Sequence, residues 1–173
     1  MPQDRIEQAR EEALALYQKG VRAQTLGDYP IAEECYRRCH LMMKAIGNRN
    51  GEAAALHYMG TLLKARGDNE EARTSYEESF ILFQQDEDFQ NCVFSLFFQS
   101  MLSLKSNEYD RGIDLIAQAL DLAFQLGVSY VQEGWSRIRQ MAGVLFARRE
   151  LGKLQLLGER LAQLGKELEE QGG

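Results

Sequence analysis

Residues Gly51 to Phe80 read GEAAALHYMGTLLKARGDNEEARTSYEESF, and their reading decides the fold. The stretch divides into a helix, a turn at Gly67-Asp68 and a second helix, with small residues at Gly60 and Ala72 where the two would touch. Moved back by 40 residues, its key letters reappear: Gly60 falls on Gly20, Gly67-Asp68 on Gly27-Asp28, Ala72 on Ala32 and Tyr76 on Tyr36. Moved forward by 40, the same places hold Ser100, Asn107-Glu108, Gly112 and Ile116, a weaker echo. A glycine inside an exposed helix costs about 1 kcal/mol relative to alanine, so two at one phase of a repeat need a packing reason. A missing side chain lets the partner helix approach, and Tyr36 or Tyr76 is the bulky group that fills the space. One such hairpin cannot bury its own apolar face, whereas stacked hairpins can.

Outward from that stretch, the same plan predicts four helix pairs. The first helix starts near Gln3 or Asp4 and runs to about Leu26, with Ile6, Ala9, Ala13, Leu16 and Gly20 recurring at three and four. Gly27 stops it, Asp28 caps the next helix, and Pro30 sits in a first turn where a missing N–H costs nothing. That next helix, about Tyr29 to Ile46, presents Ala32, Tyr36, Cys39 and Met43, and Gly47 ends it. Further helices follow over about Asn50 to Arg66 and from Asn69 to Gln85, the latter opened by a capping box of Asp68 with Glu71. The third pair spans about Phe89 to Lys105 and Tyr109 to Leu126. The fourth, about Ser129 to Arg148 and Leu151 to Glu169, is the least regular; it keeps Gly152 at the small-residue place but has Gln140 where Gly20 and Gly60 stood. The chain therefore reads as one all-α domain, 1–173, with hairpins at about 3–47, 50–86, 89–127 and 129–169.

Composition agrees. Of 173 residues, 45% are hydrophobic and 27% charged, as in a folded globular chain rather than a disordered one. A net charge of −6 argues against nucleic acid as a main partner, because phosphate binding needs a basic stripe. No apolar run approaches a membrane span, and the N-terminus lacks the apolar core of a signal peptide. Three cysteines, an odd number, fit a reducing compartment, so the expected location is cytoplasmic.

A small residue, then a Gly-Asp turn, then alanine, then an aromatic is the pattern held by Gly20, Gly27, Ala32, Tyr36 and again by Gly60, Gly67, Ala72, Tyr76. It resembles the tetratricopeptide repeat (TPR), strongly from Leu16 to Phe80 and weakly after Asp110. The common repeat is 34 residues and this one is 40, which is similar to the long-helix repeats of bacterial signalling proteins and spindle-orientation adaptors. There, runs such as Gly47-Asn48-Arg49-Asn50-Gly51-Glu52-Ala53 recur between hairpins. The resemblance implies a right-handed superhelix of antiparallel hairpins whose concave face is lined by the first helix of each pair. It also implies an adaptor or scaffold that holds a peptide or helix of another protein.

On that basis the partner-binding face takes Tyr17 and Val21; His57, Thr61 and Lys64; Phe94, Phe97, Met101 and Leu104; and Arg137 and Met141. Where many TPR adaptors grip a carboxylate with Lys and Asn, this chain has Tyr17, Val21, Tyr58, Phe94 and Phe98. The expected partner is therefore a protein segment with apolar anchors, and methionine suits such a surface. In the last helix, Leu154, Leu157, Leu161, Leu164 and Leu168 follow a coiled-coil seam, so they either pack on their own hairpin or join copies of the chain as a homo-oligomer.

Chemistry is sparse. Cys35, Cys39 and His40 are the only cluster that hints at metal, and a structural zinc site needs four ligands that no second cluster supplies. His40 follows Cys39 directly on a helix, where adjacent residues point apart, so no cysteine nucleophile is set up. Glu33-Glu34, Glu70-Glu71 and Glu77-Glu78 read as solvated faces and first-turn charges. No glycine-rich loop follows a strand to cradle a phosphate. The sequence thus predicts no enzyme, no metal and no cofactor, but a protein-binding module. The alternatives are a small acidic TPR chaperone of secreted clients, like those of type III secretion, and a scaffold that assembles through its C-terminal leucines.

Overall fold

The computed structural model describes the backbone of residues 3–126 and 128–171 and, within these, the side chains of 3–126 and 136–166. The described backbone is entirely helical between its turns: α1 (Gln3–Thr25), α2 (Tyr29–Ala45), α3 (Arg49–Arg66), α4 (Asn69–Gln85), α5 (Phe89–Lys105), α6 (Tyr109–Leu126), α7 (Val128–Ala147) and α8 (Leu151–Gln171). Second helices begin at Tyr29, Asn69 and Tyr109, at a spacing of 40 residues. The chain divides into two compact units, Met1–Asp88 and Phe89–Gly173. No described helix is long and apolar enough to cross a membrane.

One device makes the described turns. One or two residues past the ends of α1 to α5 and α7, the backbone turns left-handed: Gly27 (φ 79°), Gly47 (70°), Gly67 (97°), Glu87 (56°), Asn107 (63°) and Arg149 (59°). The next residue sends its N–H back to a carbonyl one turn inside the helix, as in Asp28 to Ala23 (2.9 Å), Asn48 to Met43 (2.9 Å) and Asp68 to Leu63 (3.0 Å). That same residue then opens the following helix, its carbonyl accepting from Ala32, Glu52 or Ala72. A single residue so satisfies groups that both helix ends would leave orphaned. Asp28 and Asn48 add side-chain caps, accepting from the N–H of Ile31 (3.3 Å) and Gly51 (2.9 Å).

The capping box expected at Asp68 is not formed: its carboxylate makes no cap hydrogen bond and pairs with Arg66 at 2.7 Å instead. The guanidinium four residues along from Leu62 offers that carboxylate a stronger, charge-assisted partner than a backbone amide.

In the first unit, α2 packs between α1 and α3, and α3 pairs with α4. Tyr36 and Tyr76 have no exposed surface, and each fills the notch of its glycine. A Cβ on Gly20 would lie 2.7 Å from Tyr36 Cε1; one on Gly60 would lie 3.0 Å from the Tyr76 ring and 3.2 Å from the Ala72 carbonyl. Close helix approach is thus what the glycines provide, in exchange for about 1 kcal/mol of helix propensity each. Burying each tyrosine contributes about 2–3 kcal/mol.

In the second unit, α6 packs on α5, α7 and α8. The notch is inverted there: Gly112, on the second helix, faces the Ser100 carbonyl at 3.2 Å and Leu104 at 3.6 Å. Helix α8 starts at Leu151, two residues late for the repeat, because α7 is longer than α5. Gly152 accordingly does not hold the small-residue place; it is exposed with open space where a Cβ would be. Counted with the two-residue lag, Ala142 rather than Gln140 is in phase with Gly20 and Gly60.

Three residues expected on the binding face belong to this core. Phe97 is 1%, Leu104 2% and Met141 0% exposed, which leaves no surface for a partner to touch. Helix α5 carries apolar residues on every side, and its inward stripe takes Phe97 and Leu104, while Met141 is buried on α7. Leu157 is likewise buried within the unit rather than offered to a second chain.

Candidate functional site

The first unit gathers five of the expected residues around one set of rings. On α1, Tyr17 lies 4.7 Å from Tyr58 of α3 and 6.5 Å from Tyr36 of α2, measured between ring centroids. Tyr36 and Tyr58 stack at 5.9 Å. His57 meets Tyr58 edge-on at 5.8 Å and Tyr76 at 5.3 Å. The small residues of the helix notches make this possible, because only closely approaching helices bring four tyrosines and a histidine into one cluster.

The hydroxyls are tied into the scaffold. Tyr36 donates to Gln24 Oε1 at 2.8 Å, and Tyr76 donates to Thr61 Oγ1 at 3.1 Å. Thr61 in turn donates to the His57 carbonyl at 3.1 Å. Burial pushes the Tyr17 phenol well above its usual value, and a hydrogen bond to Tyr58 further holds its proton. Burial also pushes Tyr36 and Tyr76 up to about 12. For His57, burial and then the nearby Lys64 charge lower the pKa to about 4, so the imidazole is neutral at neutral pH. Tyr17, Tyr36 and Tyr76 thus resist negative charge, and His57 resists positive charge.

Beside these rings opens a cavity of about 410 Å³ lined by Val21, Gln24 and Thr25 of α1, Tyr29 and Tyr36 of α2, and Tyr58, Thr61 and Ala65 of α3. Tyr36 forms its floor, without accessible surface, while Val21 stands 36% exposed at its edge. Of the expected residues, Val21 and Thr61 line the cavity, Tyr17 and His57 support its rings, and Lys64 lies outside the lining. Sequence reasoning had not assigned Tyr29, Thr25 or Ala65 to a site, and it named Tyr58 only as a place where a lysine or asparagine was missing. The signal for Tyr58 and Ala65 was their spacing from Thr61, three before and four after, which puts all three on one helix face.

Elsewhere, the expected residues do not converge on a described cavity. Phe94 and Met101 on α5 are half-buried. Arg137 lies over the Phe98 ring at 5.6 Å, a cation–π contact that uses its charge. Leu161 and Leu164 are half-buried, and Leu168 lies outside the described residues. Cys35, Cys39 and Cys92 are all buried with free thiols, and burial raises the Cys39 pKa. Among the described residues, no three His, Cys, Asp or Glu side chains come together as a metal site would need.

Known proteins share this architecture. Residues 11–85 match the tetratricopeptide repeat family. Over that segment the chain is similar to tetratricopeptide repeats. The segment covers the glycine–tyrosine notches and the whole lining of the cavity, and repeats of this family serve as protein-interaction modules. Among solved structures, BtubC (BKLC) from P. vanneervenii superposes with a TM-score of 0.72 at 15% identity. The match covers 91% of this chain and 64% of that one, so this chain spans less than two-thirds of that protein's length. The nearly identical TPR-like repeats assigned to a kinesin light chain of Podosopora anserina superpose at 0.66 and 12% identity, over 90% of this chain and 76% of that one. At such identities the likeness carries the fold of the repeats alone. No curated protein matches the chain.

Proposed function

We propose that the chain is a non-enzymatic adaptor whose first unit receives a segment of a partner protein on the face formed by α1 and α3. The observation that supports this reading most is the cavity beside those helices, with Val21 exposed at its edge and Tyr36, whose hydroxyl is already committed to Gln24, in its floor. Pockets of this kind fix one anchor side chain of a ligand while flanking surface takes the rest. Leu14, 54% exposed, and Val21 offer apolar contact along α1 for the neighbouring residues of an amphipathic segment. The high tyrosine and low histidine pKa values fit a recognition surface that stays neutral, rather than acid–base chemistry. Phe94 and Met101 are a second stretch of partner contact in this proposal. The buried free thiols suit a reducing, cytoplasmic setting.

The reading is tested by selecting peptides from a displayed library on the intact chain and measuring them against two variants. Val21→Glu places a charge at the rim and is expected to weaken binding about tenfold or more. Ile81→Glu, at a half-exposed position on α4, is expected to leave affinity unchanged. Selected peptides that bind the Val21 variant as well as the original chain would sink the assignment.

A further inference from the structure

The polar groups of the cavity have a direction. Gln24 Oε1 accepts from Tyr36, which leaves the two amide hydrogens of Gln24 as donors in a wall that Gln24 itself forms. Tyr58 brings a hydroxyl, able to donate, to the same lining. Thr25 donates to the Val21 carbonyl at 2.9 Å, so its oxygen is left to accept. The Gln24 amide hydrogens, the Tyr58 hydroxyl and the Thr25 oxygen thus border one space, with Val21 and Ala65 as its apolar sides.

No charged side chain is in the lining. An acidic group entering would lose water without meeting a cation, which costs several kcal/mol. A plain hydrocarbon would leave the Gln24 amide dry and unpaired. A primary carboxamide meets all three demands: its oxygen takes the donors, its nitrogen serves Thr25, and its methylenes lie on Val21 and Ala65.

We infer that this pocket reads an uncharged carboxamide, the side chain of a glutamine or asparagine in the bound segment, and turns away the matching carboxylate. The inference rests on the adaptor reading for the source of that side chain. Gln24 and Tyr58 are then its specificity-determining residues. The raised pKa of Tyr36 beneath the floor reports the same intolerance of negative charge.

The test titrates N-acetylglutamine methylamide and N-acetylglutamate methylamide into the intact, ¹⁵N-labelled chain, reading the amide shifts of Val21, Thr25, Thr61 and Ala65. The glutamine probe is expected to move these signals at millimolar concentration, and the glutamate probe to bind about tenfold more weakly. Gln24→Met keeps the volume and removes the donors, so it is expected to erase the preference. Tyr58→Phe, which leaves the Gln24–Tyr36 bond in place, is expected to reduce it should the Gln24 variant unfold. Equal binding of the two probes, tighter glutamate binding, no shift with either probe, or an undiminished preference in the folded variants would overturn the inference. Library peptides that depend on Val21 but carry no glutamine or asparagine would overturn it while leaving the adaptor reading intact. Probe binding without any selectable peptide would do the reverse.

Discussion

The two units solve the same packing problem in opposite ways. In the first, the small residue sits on the first helix of each pair, Gly20 or Gly60, and a tyrosine from the second helix fills the notch. In the second, the small residue is Gly112 on the second helix, set against the Ser100 carbonyl, and Ile116 occupies the position of the tyrosines. Either arrangement lets helices approach closely, but the first leaves tyrosine hydroxyls inside that reach across to other helices, whereas the buried hydroxyl of Ser100 in the second donates to its own helix, at the Phe97 carbonyl. Hydroxyls need partners, so that unit also gathers Gln24 and Thr61, and a polar cavity follows. The second unit buries isoleucine, leucine and phenylalanine together with Ser95, Gln99, Ser100 and Ser103. Moving the glycine to the other helix goes with a change of filler from tyrosine to isoleucine.

Replacing the fillers should break that contrast most. Tyr36→Ala removes a fully buried ring and is expected to cost about 3–5 kcal/mol in denaturant unfolding. Ile116→Ala should cost about 2–4 kcal/mol and leave the tyrosine ring signals of the first unit in place. A Tyr36 variant as stable as the original chain would show that the notch carries little energy.

The second way is through acid. Unfolded, His57 takes up its proton near pH 6.5; folded, it does so only near pH 4. Its contribution is therefore complete above pH 6.5 and falls as the pH drops toward 4, by about 1.4 kcal/mol per unit and about 3 kcal/mol in all. His57→Gln is expected to flatten that part of the stability–pH curve, measured by urea titrations between pH 7 and 4. An unchanged slope would remove the buried imidazole from the account.

Smaller effects come from the glycines. Gly20→Ala meets the Tyr36 ring at 2.7 Å and is expected to destabilise by about 1–2 kcal/mol despite better helix propensity. Gly143→Ala, with nothing within 4 Å, should stabilise by up to about 1 kcal/mol. Matching shifts in thermal midpoint for the two would contradict the notch. Smallest of all, Glu87→Gly relieves left-handed backbone at a non-glycine residue and is expected to gain about 0.5 kcal/mol.

What the sequence made legible was whatever depends on local sterics. Gly20, Gly60, Tyr36 and Tyr76 declared the notches, and Gly27, Gly47 and Gly67 declared the helix stops. The helix starts fall within a residue of those expected from Gly and Asp placement alone. The site was legible by halves. Val21 and Thr61 follow from the helical stripe, whereas Phe97 and Leu104 were misplaced because a helix that is apolar on every side carries no periodic clue to which side is covered. Tyr58 escaped because its role comes from Tyr17 and Tyr36 on other helices, a long-range contact that spacing does not encode. The Asp68 cap failed for a similar reason, a competing guanidinium on the preceding residue pair.

The left-handed residue that follows α1 to α5 and α7 carries one further consequence, for kinetics. Every stop is fixed by a hydrogen bond spanning five residues, such as Asp68 to Leu63 or Asp88 to Phe83, so each hairpin can find its register without waiting for any distant segment. Chain-closure entropy is then small at every step, and nucleation can begin at any turn and spread to its neighbours. A chain ordered this way should refold in milliseconds or faster, with substitutions at the turns felt in the folding rate and those at the tyrosine notches felt chiefly in unfolding.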